Sequence, residues 1–308
     1  MLVIVFVLSG ILVPVSAQET AELSSVTVVD DLDREVEIPV PLTSVITLAP
    51  SLTETLYFLG AADLITACDS NSDFPEEMTD VEKITNWDMS IIYESVVAAE
   101  PDLVLAAEIN SMDQIRELED LGLTVFYVKN PQTFPELYES VRKIGEVIDR
   151  EEEAAELTAA LEARVDAVAE VMKDNKETPL VFYELDATDP TKPWTAGKDT
   201  FISMIIELAG GKNLGDALEG AWAQVGQEYL MDADPEIILL GDYLYGSTPE
   251  AVAERVGWDE ISAVKEGKMY GFDDNLVSRP GPRLVDGLET IAALLHPELF
   301  PEAGAGAN

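Results

Sequence analysis

The sequence predicts an α/β protein: two Rossmann-like α/β lobes joined by one long rigid helix, with a ligand cleft between the lobes. Three observations carry this expectation. Apolar, β-branched runs alternate with amphipathic segments on both sides of the middle of the chain, the pattern of parallel sheets with crossover helices. Between them lies "REEEAAELTAALEARVDAVAEVMKDN", in which Leu157, Leu161, Val165, Val168 and Met172 recur at helical spacing. Finally, one phrase occurs twice: "ESVVAAEPDLVL" at 94–105 and "EYLMDADPEIIL" at 228–239. Each copy runs from a Glu to an acid-Pro-acid triplet and then into an apolar run, and Glu94 to Pro101 matches Glu228 to Pro235 in length.

The first lobe is expected over 26–150. "SVTVVDDLDREVEIP" alternates apolar and polar residues around an Asp-rich turn and reads as a hairpin. "SVITLAP" is a short strand. "SLTETLYFLG" is a helix with Ser51 and Glu54 in capping-box spacing and Gly60 as its stop. "LITAC" is a strand, "IIYESVVAAE" a helix halted by Pro101, and "DLVLAA" a strand. "SMDQIRELEDLG" carries a Ser111/Gln114 box, "LTVFYV" is a strand, and "TFPELYESVRKIGEVI" carries a Thr133/Glu136 box. The connecting helix spans 151–175, about 37 Å at 1.5 Å per residue. In the second lobe, 179–299, "LVFYEL", "EIILLG" and "GKMYGF" are strands; "DTFISMIIELAGG", "YLMDADP", "TPEAVAERVG" and "PRLVDGLETIAALL" are helices. The repeated phrase falls at a matching helix–Pro–strand junction in each lobe.

The chain of 308 residues carries 60 acids against 18 bases and one His, a net charge of −42, spread along its whole length. Such a surface repels nucleic acid and anionic lipid. It suits a protein kept soluble in high salt, where the screening length falls to about 3 Å at 1 M. Residues 1–17, "MLVIVFVLSGILVPVSA", are uncharged, apolar and end in a small-x-small pattern, so a signal peptide and an exported protein are expected, with an uncleaved membrane anchor as the alternative. The mature chain is expected at the outer face of the membrane or in a periplasm. Residues 300–308, rich in Gly and Ala, read as a disordered tail.

The catalytic inventory is thin. G-x-S-x-G, Walker A and G-x-G-x-x-G patterns are absent, and "GGKNLG" lacks phosphate-loop spacing. With one His, His296, a His-based metal site or a His-activated nucleophile is excluded by count. His296 and the single Cys68 are expected to be structural. No enzyme activity, metal site or cofactor is expected; the alternative from another class is an extracellular two-lobed enzyme working through carboxylates alone. What remains is aromatic. Trp87, Trp194 and Trp222 stand in loop-like contexts ("TNWDMS", "TKPWTAGKD", "EGAWAQVG") and point to an apolar cleft shared by the lobes. Arg279, in "DNLVSRPGPRLVDG", is one of only eight arginines; it is a candidate to hold an acceptor group of a ligand, or else an ion-pair partner for a nearby acid.

Taken together, "VTVVDDLDREVEIP", "VITLAPSLTETLYFLGA", "SDFP", "YESVVAAEPDLVLA", "WTAGKDTFISMIIELAGGKNL", "WAQVGQEYLMDADPEIILL" and "SRPGPRLVDGLETIAALLHPELF" resemble the substrate-binding proteins of ABC importers for vitamin B12 and iron chelates, over about residues 26–297. The resemblance implies a ligand between the lobes, a small closing motion, and a monomer that docks on a permease dimer with its ATPase subunits. It places the two docking acids at Glu94 and Glu228. It places cleft contacts at Trp87, Trp194 and Trp222, with Ser51, Asn71 and Arg279 as further ligand-side residues. The implied ligand is a cobalt corrinoid or, alternatively, a ferric siderophore or haem. One departure stands out: where a B12-binding member carries a Tyr two residues before its "DYP" motif, this chain has Asn71 before "SDFP".

Overall fold

The computed structural model describes residues 24–301. The signal-peptide segment and the tail beyond 301 lie outside the described residues.

The first lobe opens with β1 (Ser24–Val29) and β2 (Glu35–Val40), an antiparallel hairpin. Then come β3 (Val45–Thr47), α1 (Pro50–Phe58), β4 (Ile65–Cys68), β5 (Glu82–Lys83), α2 (Tyr93–Ala98), β6 (Leu103–Ala107), α3 (Met112–Asp120), β7 (Val125–Val128) and α4 (Phe134–Val147). Strands β3 to β7 form one parallel sheet in the order β5-β4-β3-β6-β7. β6 is buried along its whole length, as a strand covered on both faces must be.

α5 (Glu151–Met172) follows, 22 residues and so about 33 Å long. It packs on α4 of the first lobe and on α11 (Leu284–Leu295), the last helix of the second. Its Leu161 and Val168 are buried. Arg164 of α5 also grips Glu289 (Nε–Oε1 2.9 Å) and Asp286 (Nη2–Oδ1 2.5 Å) of α11.

The second lobe comprises β8 (Leu180–Glu184), β9 (Trp194–Ala196), α6 (Phe201–Leu208), β10 (Lys212–Asn213), β11 (Trp222–Gln224), α7 (Gln227–Ala233), β12 (Ile237–Leu240), α8 (Pro249–Ala253), α9 (Ser262–Glu266), β13 (Met269–Gly271), α10 (Asn275–Ser278) and α11. Its parallel sheet runs β10-β8-β12-β13. β9 and β11 form a separate antiparallel ribbon. "GGKNLG" is structural: Gly210, at φ +85°, ends α6, and a Cβ on Gly215 would sit 2.0 Å from the Ala196 carbonyl oxygen.

The repeated phrase occupies equivalent places. α2 leads into β6, the neighbour of the first sheet strand β3; α7 leads into β12, the neighbour of β8. The acid before each Pro takes a left-handed backbone, Glu100 at φ +45° and Asp234 at φ +49°, and so ends its helix. The acid after each Pro ties the turn to the start of the neighbouring strand. Asp102 Oδ2 accepts from the N–H of Thr43 (2.7 Å) and Ser44 (3.0 Å), and Glu236 Oε1 accepts from the N–H of Leu180 (3.1 Å). Even the backbone matches, with Asp102 N–H donating to Ser44 O and Glu236 N–H to Leu180 O, both at 2.9 Å.

The helix caps follow expectation unevenly. Ser111 and Gln114 form the full reciprocal box. Thr133 accepts from Glu136 N–H, but the Glu136 carboxylate accepts from Gln132 N–H instead of closing the box. The Ser51/Glu54 box does not form. Pro50, with its φ preset for a helix, starts α1 one residue earlier, so Ala49 is the cap and Ser51 lies inside the first turn. Glu54 is turned inward to two arginines of the second lobe.

Candidate functional site

Both sheets point the carboxyl ends of their strands at the same space. In each, successive strands diverge from a switch point, between β3 and β6 and between β8 and β12, where open α/β sheets place ligands. The space there is a cleft of about 940 Å³. The first lobe supplies Ser51, which follows β3, Asn71 and Asp73, which follow β4, and Glu108 and Ile109, which follow β6. The second lobe supplies Phe201, Trp222, Leu244 and Tyr245, together with Asp274 and Arg279.

The predicted residues distribute as follows. Ser51, Asn71, Trp222 and Arg279 line this one cleft. Trp194 lines an adjoining cavity that shares Leu185 and Tyr245 with it. Trp87 is 87 % exposed on the turn 86–89, outside the lining of either cavity. That turn is nonetheless fastened to the cleft: Ser70 Oγ donates to Asn86 O (2.9 Å), and Asn71 Nδ2 reaches Met89 Sδ (3.0 Å). Glu94 and Glu228 lie away from the cleft, each exposed in the first turn of its helix, α2 and α7.

Trp194 and Trp222 are not in loops. They sit on the β9–β11 ribbon, where Trp222 pairs with Ala196 and Trp194 with Gln224. Residues directly opposite one another, and those two apart along a strand, share a face. Both indoles therefore belong to one face of the ribbon, and Trp222 packs edge-on against Phe201 with ring centres 6.3 Å apart. Sequence reasoning passed over Tyr245 (91 % exposed), Leu244 (61 %) and Ile109 (55 %). The available signal was "YLYG": two aromatics and a Leu beside a Gly, two residues after a buried strand. Trp258 belongs to the core; it is buried, packs on Phe182 and has the Arg255 guanidinium 4.5 Å from its ring centre.

Among the described residues Arg279 is the only cation lining the cleft, and three of its N–H donors are already engaged. Nη1 donates to Asp73 Oδ1 (2.7 Å) and Glu54 Oε1 (3.1 Å), and Nη2 donates to the Asn71 carbonyl (3.1 Å). Arg283 shares Glu54 Oε1 (3.1 Å) and lies over the Phe74 ring at 4.2 Å. Glu54 is fully buried. Burial pushes its carboxyl above the usual range, against the pull of Arg283 and Arg279. The cluster is a clasp between the lobes, and of the two sequence readings of Arg279 the ion pair is the one seen. Around it the cleft presents Asp73, Glu108, Asp199 and Asp274. Burial raises the Asp274 carboxyl, which the Tyr183 hydroxyl nonetheless hydrogen-bonds.

His296 is buried at the end of α11, beside Asn175. Cys68 is buried at the end of β4, where burial raises its thiol. Among the described residues no group of three or more His, Cys, Asp or Glu is placed to hold a metal, and no helix is long and apolar enough to cross a membrane.

The Periplasmic binding protein family profile matches residues 45–276. The chain is 35 % identical over 291 residues to the uncharacterized ABC transporter substrate-binding lipoprotein YvrC of Bacillus subtilis, covering 93 % of this chain and 90 % of that one. It is 27 % identical over 259 residues to a cobalamin-binding protein of Halobacterium salinarum, covering 82 % and 69 %. A solved structure of a possible iron-binding (periplasmic solute-binding) protein from Staphylococcus epidermidis superposes with a TM-score of 0.71 at 31 % identity, over 83 % of this chain and 99 % of the other. With its two lobes, bridging helix and cleft between them, the chain belongs to the periplasmic binding protein family, a family of substrate-binding transport proteins and not of enzymes, and is a solute-binding component of an ABC importer.

Proposed function

We propose that the protein captures a cobalamin-type corrinoid outside the cytoplasm and delivers it to an ABC importer. The observation that carries this choice of ligand is the pairing of aromatic walls with uncompensated acid. Trp222, Tyr245 and Phe201 offer flat apolar surface to a macrocycle. Four carboxyl groups line the same space; Asp73 is paired with Arg279, which Glu54 also holds, and Glu108, Asp199 and Asp274 make no ion pair among the described residues. A haem with its carboxylates, or an anionic ferric chelate, meets like charge there. Two unit charges 6 Å apart repel by about 3 kcal/mol at an effective dielectric of 20. A neutral corrinoid avoids that cost, and its amide arms can donate to the acids. The cobalamin-binding relative supports the reading. A cationic ferric trihydroxamate meets the same charge criterion and is the second reading; the possible iron-binding structure favours it.

On this reading Glu94 and Glu228 contact arginines of the permease dimer. Each is exposed at an equivalent place in its lobe, and neither takes part in the hydrogen bonds that the acids flanking each Pro supply to the fold. The net charge of −42 fits a protein working in high salt. The test is calorimetry in high salt with cyanocobalamin, haem and a neutral and a cationic ferric trihydroxamate. Micromolar or tighter binding of cyanocobalamin, with quenched Trp fluorescence and no binding of haem, is expected. Trp222→Ala should weaken it roughly tenfold or more. Tighter binding of haem, or no binding of cyanocobalamin, overturns the assignment.

A further inference from the structure

Beside the main cleft lies a second cavity of about 820 Å³. Leu185 and Tyr245 line both, so Tyr245 stands as a partition between adjoining spaces. The far wall is built from Asp186 and Trp194. Their backbones form an antiparallel bridge: Leu185 N–H donates to Trp194 O (2.9 Å) and Trp194 N–H to Asp186 O (2.8 Å). Residues paired in this way carry their side chains on the same face. The Asp186 carboxylate and the Trp194 indole therefore stand side by side, on the ribbon face that also carries Trp222.

The chemistry of this second space is one-sided. Its remaining polar lining is Thr188, Asp242 and Ser247, and no cationic side chain lines it among the described residues. Asp242 Oδ2 already accepts from Ala187 N–H (2.9 Å) and Ser247 Oγ (2.8 Å), which fixes the loop bearing Tyr245. Asp186 is exposed, with Oδ1 accepting from Thr188 N–H (2.7 Å). The hydroxyl and N–H of Thr188 hold the Asp186 carboxyl below the usual range, so it stays ionised. An anionic group entering here would face two carboxylates. A purely apolar group would strip water from Asp186 and return no hydrogen bond. A group that donates N–H and has an apolar stem satisfies both walls.

We infer that the second cavity is an arm pocket of the ligand site: it takes a propionamide arm of the ligand seated in the main cleft, with Asp186 as acceptor and Trp194 and Tyr245 packing along the stem. The inference rests on the corrinoid reading, because a corrinoid is a flat ring edged with amide arms. It assigns Asp186 and Tyr245 to arm selection, distinct from ring stacking at Trp222.

The test uses the full chain, as wild type and as Asp186→Asn, with cyanocobalamin and its three mono-acid derivatives, in each of which one propionamide arm is a carboxylate. One of the three mono-acids should bind wild type roughly tenfold or more weakly than the other two, the scale of one hydrogen bond to a charged group. Asp186→Asn, which exchanges an acceptor for a donor on an exposed residue, should selectively narrow that gap and should weaken cyanocobalamin. Equal binding of all three mono-acids, or one common factor of change for all four ligands, overturns the arm pocket while leaving the corrinoid reading intact. Failure of wild type to bind cyanocobalamin refutes both.

Discussion

Replacing Glu54 by Gln tests the clasp between the lobes. The Glu54 side chain is 1 % exposed, and its Oε1 is shared by Arg279 and Arg283, each 9 % exposed. Gln preserves the volume but removes the charge and turns an amide donor towards guanidinium donors. Removing one member of a buried ion pair costs about 3–5 kcal/mol. Each arginine here keeps a second partner, Arg279 on Asp73 at 2.7 Å and Arg283 on Asp273 at 3.4 Å, which places the loss at the lower end, about 3 kcal/mol. For a chain of this size that corresponds to a fall in thermal midpoint of roughly 6–12 °C. Urea denaturation at fixed ionic strength, compared with wild type, measures it. Asp73→Asn is the internal control, because Asp73 belongs to the same cluster but its side chain is 56 % exposed; its loss should stay within about 1 kcal/mol. The Glu54→Gln deficit should also persist across salt concentrations, since buried pairs are little screened. A deficit below about 1 kcal/mol, or equal deficits for the two variants, refutes the clasp.

Burial works against ionisation of Asp102, but the N–H and hydroxyl of Thr43 and the N–H of Ser44 outweigh it and lower its pKa. A lowered folded-state pKa contributes stability that is present above the unfolded value, about 4, and lost as pH falls through the folded one; Asp102→Asn should destabilise at pH 7 and flatten the acid limb of a stability–pH curve, and an unchanged curve would refute this. Glu94→Ala combined with Glu228→Ala should abolish uptake in cells while calorimetry shows unchanged ligand affinity; a loss of affinity would place these acids at the ligand instead. Lowering salt should reduce the thermal midpoint of the ligand-free protein, because 60 acids then repel over a longer range, and a midpoint indifferent to salt removes the case for adaptation to salt.

The sheets were legible because their strands are short apolar runs bounded by Pro and Gly, and the bridging helix because its apolar positions keep a helical period. The repeated phrase gave the equivalence of the lobes, and the structure extends it to the hydrogen bonds made by the acids around each Pro. The site was less legible for physical reasons. Glu54 lies three residues from Ser51, and local spacing suggests a cap; its true partner Arg279 is 225 residues away, a distance that leaves no local trace. Strands of three residues such as "WTA" and "WAQ" are too short to display alternation, so a ribbon held by backbone pairing reads as two loops. Tyr245 and Leu244 face the cleft because the chain turns sharply at Gly246, at φ +109°, immediately after a single 3-10 turn, Tyr243–Tyr245, that follows β12, not because of any periodic pattern.

The β9–β11 ribbon separates two tasks that a loop would mix. Thr195 and Ala223, on one face, are paired to each other, and Thr195 is fully buried in the lobe. Positions 194, 196, 222 and 224 share the other face. Of these, Trp194 and Trp222 line the cavities, while Ala196 is buried in the core; exchanging the two indoles alters what the cavities meet while the backbone ladder and the parallel sheet stay in place. The ribbon is thus an interchangeable panel: a small set of neighbouring positions through which the ligand range of this scaffold can be redirected without rebuilding either lobe.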